Sequence, residues 1–299
     1  NTKLFLQGSV LVLIGSGLAA VIAYLLRVYL ANNLSLEDFG LFFAVLSLVL
    51  LLLFVKDLGL GQAGPKFIAE YHAKKQYRKI NALLLSMFIF QMLVALTIYF
   101  LLYLLAPWLA INLFQDERAV SLLHLLALFI PFHVFIGHLV SFFRGFKSKK
   151  LSFIQLFVNL FTFIFVLLLI DSSVLGVGLG YILGISVVPL LMVLPYVRPY
   201  NPFKHHLDKN LVPIFKKALL FGLPLTGVFA GMSIIGQFDT TMLTYFTTLE
   251  LVGVYNVILP TILALMVVPQ ALSSFLLSII TELYTKNKLY IRNYPLEMD

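Results

Sequence analysis

The chain has no cysteine and very little charge. Without cysteine there is no disulfide framework and no thiolate metal site. Charged residues make up 11% of the 299 residues, against 61% hydrophobic. A soluble domain of this length cannot bury so much apolar surface, so the solvent is lipid. There is no Walker loop, dinucleotide fingerprint or serine nucleophile elbow, so neither ATP hydrolysis nor acyl transfer has a seat. Neither an enzyme nor a cofactor is expected. His124, His133 and His138 share no common helix face, which argues against a metal site. No cleavable signal peptide is evident, because the first apolar run is too long and lacks a small-residue cleavage pattern. The first residue is Asn1 rather than Met, so the sequence is read as a processed product or a piece of a longer chain.

What is present is a series of apolar runs of about 20 residues, each enough to cross roughly 30 Å of hydrocarbon. Eight fall near 8–31, 39–61, 81–105, 119–141, 151–170, 176–197, 217–246 and 253–279. Backbone polar groups in lipid must be satisfied internally, so each run is expected to be a helix. The predicted class is an all-α integral membrane protein.

The connections alternate in charge. All of the 21 basic residues except Arg27, Lys56 and Arg118 fall in one set of connections or at the termini. The other set, at 32–38, 106–118, 171–175 and 247–252, holds Glu37, Asp38, Asp116, Glu117, Asp171 and Glu250. The positive-inside rule then places both termini in the cytoplasm of a multi-pass plasma-membrane protein. The net charge of +8 is orientation charge beside anionic lipid headgroups, not a footprint for nucleic acid.

The chain also repeats itself. Leu36-Glu37-Asp38-Phe39-Gly40 is answered by Leu249-Glu250-Leu251-Val252-Gly253, and Phe67-Ile68-Ala69-Glu70-Tyr71 by Ile279-Ile280-Thr281-Glu282-Leu283. A turn is expected at Lys56-Asp57-Leu58-Gly59-Leu60-Gly61. Such repeats indicate two related halves, here of the same membrane orientation. The expected division is a six-helix lobe at 1–197, a cytoplasmic linker at 198–217, and the first two helices of a second, pseudo-twofold related lobe at 218–299. Gly176, Gly180 and Gly184 form one small-residue ladder, and Gly227 and Gly231 a shorter one. Pro131, Pro189, Pro224, Pro260 and Pro269 interrupt spans.

Ionisable groups inside spans are costly, by roughly 2.5–3.5 kcal/mol at mid-membrane on insertion scales, and are functional candidates. They are Arg27, Lys56, Asp57 and Asp239. Lys56 and Asp57 stand about one turn from the end of span two, where interfacial solvation suffices. Arg27 has a side chain long enough to snorkel out of span one. Asp239 lies deeper, with a short side chain, and is the best candidate. The repeat brings Arg27 and Asp239 to similar depths, facing one central cavity as an ion pair or as separate binding groups. Gln155 and Asn159 share a face of span five and are read as an interhelical hydrogen-bonding pair.

Leu36-Glu37-Asp38-Phe39-Gly40, Asp57-Leu58-Gly59-Leu60-Gly61, Phe67-Ile68-Ala69-Glu70-Tyr71, Phe143-Arg144-Gly145-Phe146-Lys147, Phe221-Gly222-Leu223-Pro224-Leu225 and Glu250-Leu251-Val252-Gly253-Val254-Tyr255 together carry a resemblance. With them, nearly the whole chain resembles the polysaccharide-biosynthesis flippases of the multidrug/oligosaccharidyl-lipid/polysaccharide exporter superfamily. Two departures stand out. Asn33-Leu34-Ser35 occupies the place of the family's usual Leu-Gly-Pro, and the chain ends four or more helices early. The resemblance implies a transporter that carries a polyprenyl-diphosphate-linked oligosaccharide to the outer leaflet by rocking two lobes. Arg27, Asp239, Lys56, Lys66 and Arg144 would then contact substrate, and Asp57 and Asp239 would bind H⁺ or Na⁺ as coupling ion. Two rivals remain open. A multidrug exporter of organic cations shares the architecture, although Arg27 favours an anionic cargo. A membrane glycosyltransferase would need metal-binding acids such as Glu37-Asp38 or Asp116-Glu117, in loops too short for a substrate domain.

Overall fold

A computed structural model of the chain describes residues 2–148, 151–171, 173–197, 208 and 210–265. Those residues are helical nearly throughout. The elements are α1 (Thr2–Asn33), α2 (Leu36–Leu51), α3 (Leu53–Asp57), α4 (Leu60–Ala73), α5 (Tyr77–Leu109), a π-helical turn (Ala110–Phe114), α6 (Arg118–Leu126), α7 (Phe129–Gly145), α8 (Leu151–Leu169), α9 (Val174–Val197), α10 (Leu211–Phe246) and α11 (Leu249–Leu265). Among the described residues, six stretches are long and apolar enough to span a membrane: Ile14–Asn33, Leu36–Asp57, Tyr77–Phe114, Arg118–Gly145, Val174–Leu191 and Leu211–Phe246. Phe153–Leu169 and Leu249–Ile262 are shorter apolar helices. The eight expected spans are therefore helical where described, apart from breaks at Leu52 and Leu58-Gly59 in the second and at Ala127-Leu128 in the fourth. The protein is an all-α integral membrane protein.

Two helices run further than their apolar cores. α5 starts at Tyr77 and α10 at Leu211, ahead of Arg78, Lys79, Lys216 and Lys217. Lysine and arginine continue a helix well and carry their charge to the headgroup layer, so basic residues do not mark a helix boundary.

Where helices break, the sequence supplies the reason. Ser35 caps α2 by accepting from the Asp38 amide at 3.1 Å, with Glu37 and Asp38 in the favourable first turn. Pro131 has no N–H to give the carbonyl of Ala127, and the helix steps there from α6 to α7. Pro107 likewise frees the carbonyl of Tyr103, to which His124 Nε2 donates at 3.1 Å while its ring stacks on Tyr103 at 3.9 Å. His124 is thus a local patch for a proline-broken helix. Between α3 and α4 both Leu58 (φ 42°) and Gly59 (φ 72°) are left-handed, which realises the expected turn.

α2 stands at the centre. Phe39, Leu41, Phe42, Phe43, Val45, Leu46 and Val49 are all buried, with α10, α6, α9, α1 and α7 around them. Lipid is as apolar as leucine, so this burial gains little hydrophobic energy; close packing and interhelical hydrogen bonds hold the bundle. Gly180 and Gly184 of α9 lie against Val166 and Thr162 of α8, with no room for a Cβ. That is the ladder expected from the sequence. Gly227 and Gly231 meet nothing within 4 Å among the described residues. Gln155 donates to Asn159 at 2.9 Å, and Asn159 donates across to the Ala19 carbonyl of α1 at 2.8 Å, as the shared face predicts. Pro269 lies outside the described residues.

Candidate functional site

The intramembrane charges occupy three separate settings. Arg27 is half-buried on α1, its guanidinium 4.3 Å from the centre of the Phe43 ring. Tyr181 of α9 interacts with it electrostatically and packs on Phe42, with ring centres 4.9 Å apart. The cation is therefore steadied by aromatic faces and a phenol.

The second setting lies where α3 meets α5 and α7. The Asp57 carboxylate accepts from the Gly61 amide at 3.1 Å and from Gln91 Nε2 at 3.2 Å, so it caps the start of α4 and ties α3 to α5. Its neighbour Lys56 is only 3% exposed. The expected interfacial solvation does not occur: the ammonium points inward and lies 3.9 Å from where a Gly137 Cβ would be. The ammonium thus lies against the Gly137 stretch of α7 at ordinary contact distance. No hydrogen bond or ion pair to Lys56 is found among the described residues. Asp57 attracts the ammonium and His133 lies within its field. The Nδ1 atoms of His133 and His138 are also buried without a hydrogen-bond partner. Buried polar groups are normally satisfied, so this concentration of groups without partners among the described residues is unusual for a packed interior.

The third setting is Asp239 on α10. Its carboxylate accepts from the Tyr255 hydroxyl of α11 and from the Thr240 amide. One turn toward the acidic end, Thr240 and Thr244 are buried, and Thr241 Oγ1 lies 3.3 Å from Ser47 Oγ of α2. Arg27 and Asp239 have different neighbours, the one aromatic and the other Tyr255.

Between these settings, the first half of the chain touches α10 and α11 at both ends. At the acidic end, a Cβ on Gly40 would strike the Leu249 carbonyl and the Gly253 amide, and a Cβ on Gly253 would strike the Leu36 carbonyl. The two copies of the repeated motif thus pack on each other reciprocally. Beside them Arg118 bridges Glu37 (2.5 Å), Asp38 (2.7 Å) and Asp116 (2.6 Å). Burial alone would raise the Asp116 carboxyl, but hydrogen bonds from the Arg118 side chain and backbone outweigh it and hold Asp116 below its ordinary value.

At the basic end, the backbone of Gly59 meets that of Gly222. Lys66 of α4 sits 3.4 Å over the Phe221 ring of α10, and Lys217 of α10 sits 4.9 Å over Phe67 of α4. Glu70 accepts from Lys74 at 2.8 Å and lies 3.5 Å from Lys217. Donation by Lys74 leads the interactions that hold its carboxyl below the ordinary glutamate value. Arg144, at the end of α7, is exposed. Of the candidate residues, then, Lys56 and Asp57 are neighbours, while the contacts described for Arg27, Lys66 and Asp239 are each to other partners.

Sequence reasoning missed Gln91, Tyr181, Tyr255 and Lys217. Gln91 carried a usable signal, being a buried amide inside a long apolar helix. The tyrosines carried none, because aromatic residues are common throughout these spans.

An all-α bundle with charges held inside its spans defines a membrane protein built around intramembrane polar centres. The comparisons sharpen that class. A family model described as polysaccharide biosynthesis protein matches residues 5–281, and the chain belongs to this family. An uncharacterized membrane protein of Methanocaldococcus jannaschii is 27% identical, over 94% of this chain and 58% of that protein. Among solved structures, a chain called protein A gives a TM-score of 0.68 at 18% identity, covering 88% of this chain and 61% of that one. A crystal structure of MATE in complex with Br-NRF gives 0.55 at 14% identity, covering 91% and 76%. The two solved structures share the fold. The chain spans about three-fifths of the length of its curated relative.

Proposed function

We propose that the chain forms the first lobe and the start of the second in a flippase. The cargo is a polyprenyl-diphosphate-linked oligosaccharide, carried to the outer leaflet of the plasma membrane. Residues 1–197 are the first lobe, 198–217 the cytoplasmic linker and 218–299 the opening of the second, with both ends of the segment in the cytoplasm. The observation that carries this reading is the family match over residues 5–281. The reciprocal packing of Gly40 and Gly253 supports two lobes related by a pseudo-twofold axis.

Transport of this kind requires no covalent chemistry. The cargo's diphosphate needs cations inside a polar cavity while its lipid tail stays in the bilayer. Arg27 supplies such a cation within a span, and Lys66 and Arg144 supply the positive mouth that gathers the headgroup. Lys56 joins them when α3 moves, since it is the cation with least compensation here. Asp57 and Asp239 are the acids that a coupling H⁺ or Na⁺ would use.

The test is translocation of a fluorescent polyprenyl-diphosphate-linked sugar by the full-length protein in proteoliposomes. Arg27→Ala should lose most of the activity, and Asp239→Ala should change its dependence on the ion gradient. Wild-type transport by both variants would overturn the assignment. The MATE fold favours one second reading, export of organic cations. Under it, ethidium efflux would require Asp239 and ignore Arg27.

A further inference from the structure

The basic end of α10 carries a feature that the cargo path does not use. A cleft of about 380 Å³ opens between the end of α4, the start of α5 and the start of α10. Its charged walls are Lys74 and Glu70 of α4, Lys79 of α5 and Lys217 of α10, with Tyr71 and Asn210 beside them. Three lysines against one glutamate leave the lining net positive, with Asp208 beside it in the adjoining pocket that Lys79 also lines. The glutamate is already engaged by Lys74 and Lys217, and Lys79 lies 5.9 Å over the Tyr71 ring with no carboxylate contact among the described residues. Gln76 and Asn210, the residues preceding α5 and α10, both line the cleft and neither caps its helix with its side chain. The helix-start amides of α5 add to the same positive field, while at α10 the Asn210 amide donates to Asp208 at 2.9 Å.

The height of the cleft matters as much as its charge. The apolar spans Tyr77–Phe114 and Leu211–Phe246 both begin at it, so it lies in the headgroup layer. Ile214 and Pro213 give it an apolar floor. A soluble phosphate meets only the polar wall, whereas a lipid phosphate also lays its glycerol and upper chain against that floor.

We infer that this cleft binds the phosphate of an anionic lipid headgroup, and that the bound phosphate clamps α10 to α4 and α5. The clamp follows from where the lysines sit. Lys74 and Lys79 belong to the first half and Lys217 to α10, so one phosphate between them bridges the two. Around the cleft the long Lys217–Glu70 contact, the cation–aromatic contacts and the packing of Ile214, Ala218 and Phe221 of α10 on α4 and α5 already span this gap, and a phosphate would add a charged bridge to them. The site stands apart from the cargo and does not depend on the flippase reading.

The test uses the full-length protein purified into nanodiscs of phosphatidylglycerol or phosphatidylcholine, with inorganic pyrophosphate as the soluble probe. Native mass spectrometry counts retained phosphatidylglycerol, and the thermal midpoint reports the clamp. Retention should fall roughly fivefold for each lysine removed in Lys79→Gln and Lys217→Gln. The rise in midpoint given by phosphatidylglycerol should vanish in the double variant, while Lys147→Gln, outside the cleft, should keep both. If the double variant does not elute as one species, Lys79→Gln alone carries the test. A midpoint raised by pyrophosphate but not by phosphatidylglycerol would overturn the lipid assignment. Unchanged retention in the lysine variants would overturn the site altogether.

Discussion

Two glycine contacts join the first half of the chain to α10 and α11, and they are made in different ways. At the acidic end, Gly40 and Gly253 sit in regular helices and each faces the backbone of the other's motif. At the basic end, Gly59 is left-handed, in a helix break, and meets Gly222 in the middle of a continuous helix. The first contact joins equivalent residues of a repeat and is symmetric; the second joins unlike residues and is not. The asymmetric contact is wrapped in long lysine side chains over aromatic rings. Phe67 and Tyr71 under these lysines are buried, so each contact is worth more than the roughly 0.5–1 kcal/mol of a fully exposed pair.

The largest expected difference comes from the glycines themselves. Gly40→Ala should cost about 1–3 kcal/mol by overpacking against Leu249. Gly59→Ala should cost more, because a left-handed backbone adds about 1–2 kcal/mol for any residue with a Cβ. Thermal unfolding of the two variants in detergent measures the gap, and Gly227→Ala, with nothing nearby, should leave the midpoint unchanged. Equal losses at Gly40 and Gly59 would remove the distinction between the ends.

Arg118→Ala comes next. It frees Glu37, Asp38 and Asp116 together and should cost about 1 kcal/mol, since Arg118 and Glu37 are half exposed to screening solvent while Asp38 and Asp116 are more sheltered. The loss should be nearly abolished at high salt, whereas the glycine effects should persist. Acid should mimic it. Asp116 has a depressed pKa, so its stabilising effect is full above the ordinary aspartate value of 3.8 and is lost as pH falls through the lower folded value. Wild type and Arg118→Ala should therefore converge in stability below that range. The smallest effect belongs to Lys217→Gln in phosphatidylcholine, within about 0.5 kcal/mol of wild type.

Much of this was open to reading from the sequence, for identifiable reasons. Apolar run length is imposed by bilayer thickness, so the spans show directly. The Leu36 and Leu249 motifs could be matched because their packing contact falls within the motif itself. Asn159 could be placed because a polar residue in lipid must find a partner nearby. Lys56 was misplaced for a related reason: depth along a span is legible, but the side of the helix on which it lies is not. Only its contact with α7 at Gly137, distant in sequence, shows that Lys56 is turned inside. The step at Leu52 has no proline or glycine at 51–53 to announce it. Asp239 was singled out by its cost in lipid, but Tyr255 is one aromatic among many until the two helices are in place.

The central claim is that α2 and α10 are the facing helices of two lobes that separate during transport. Ser47 and Thr241 mark that seam, with side-chain oxygens 3.3 Å apart. Because the chain has no cysteine, Ser47→Cys with Thr241→Cys in the full-length protein would give an uncomplicated reporter. Oxidation should form the cross-link and stop translocation of a polyprenyl-diphosphate-linked sugar, and reduction should restore it. A cross-linked protein that still transports at the wild-type rate would contradict the claim.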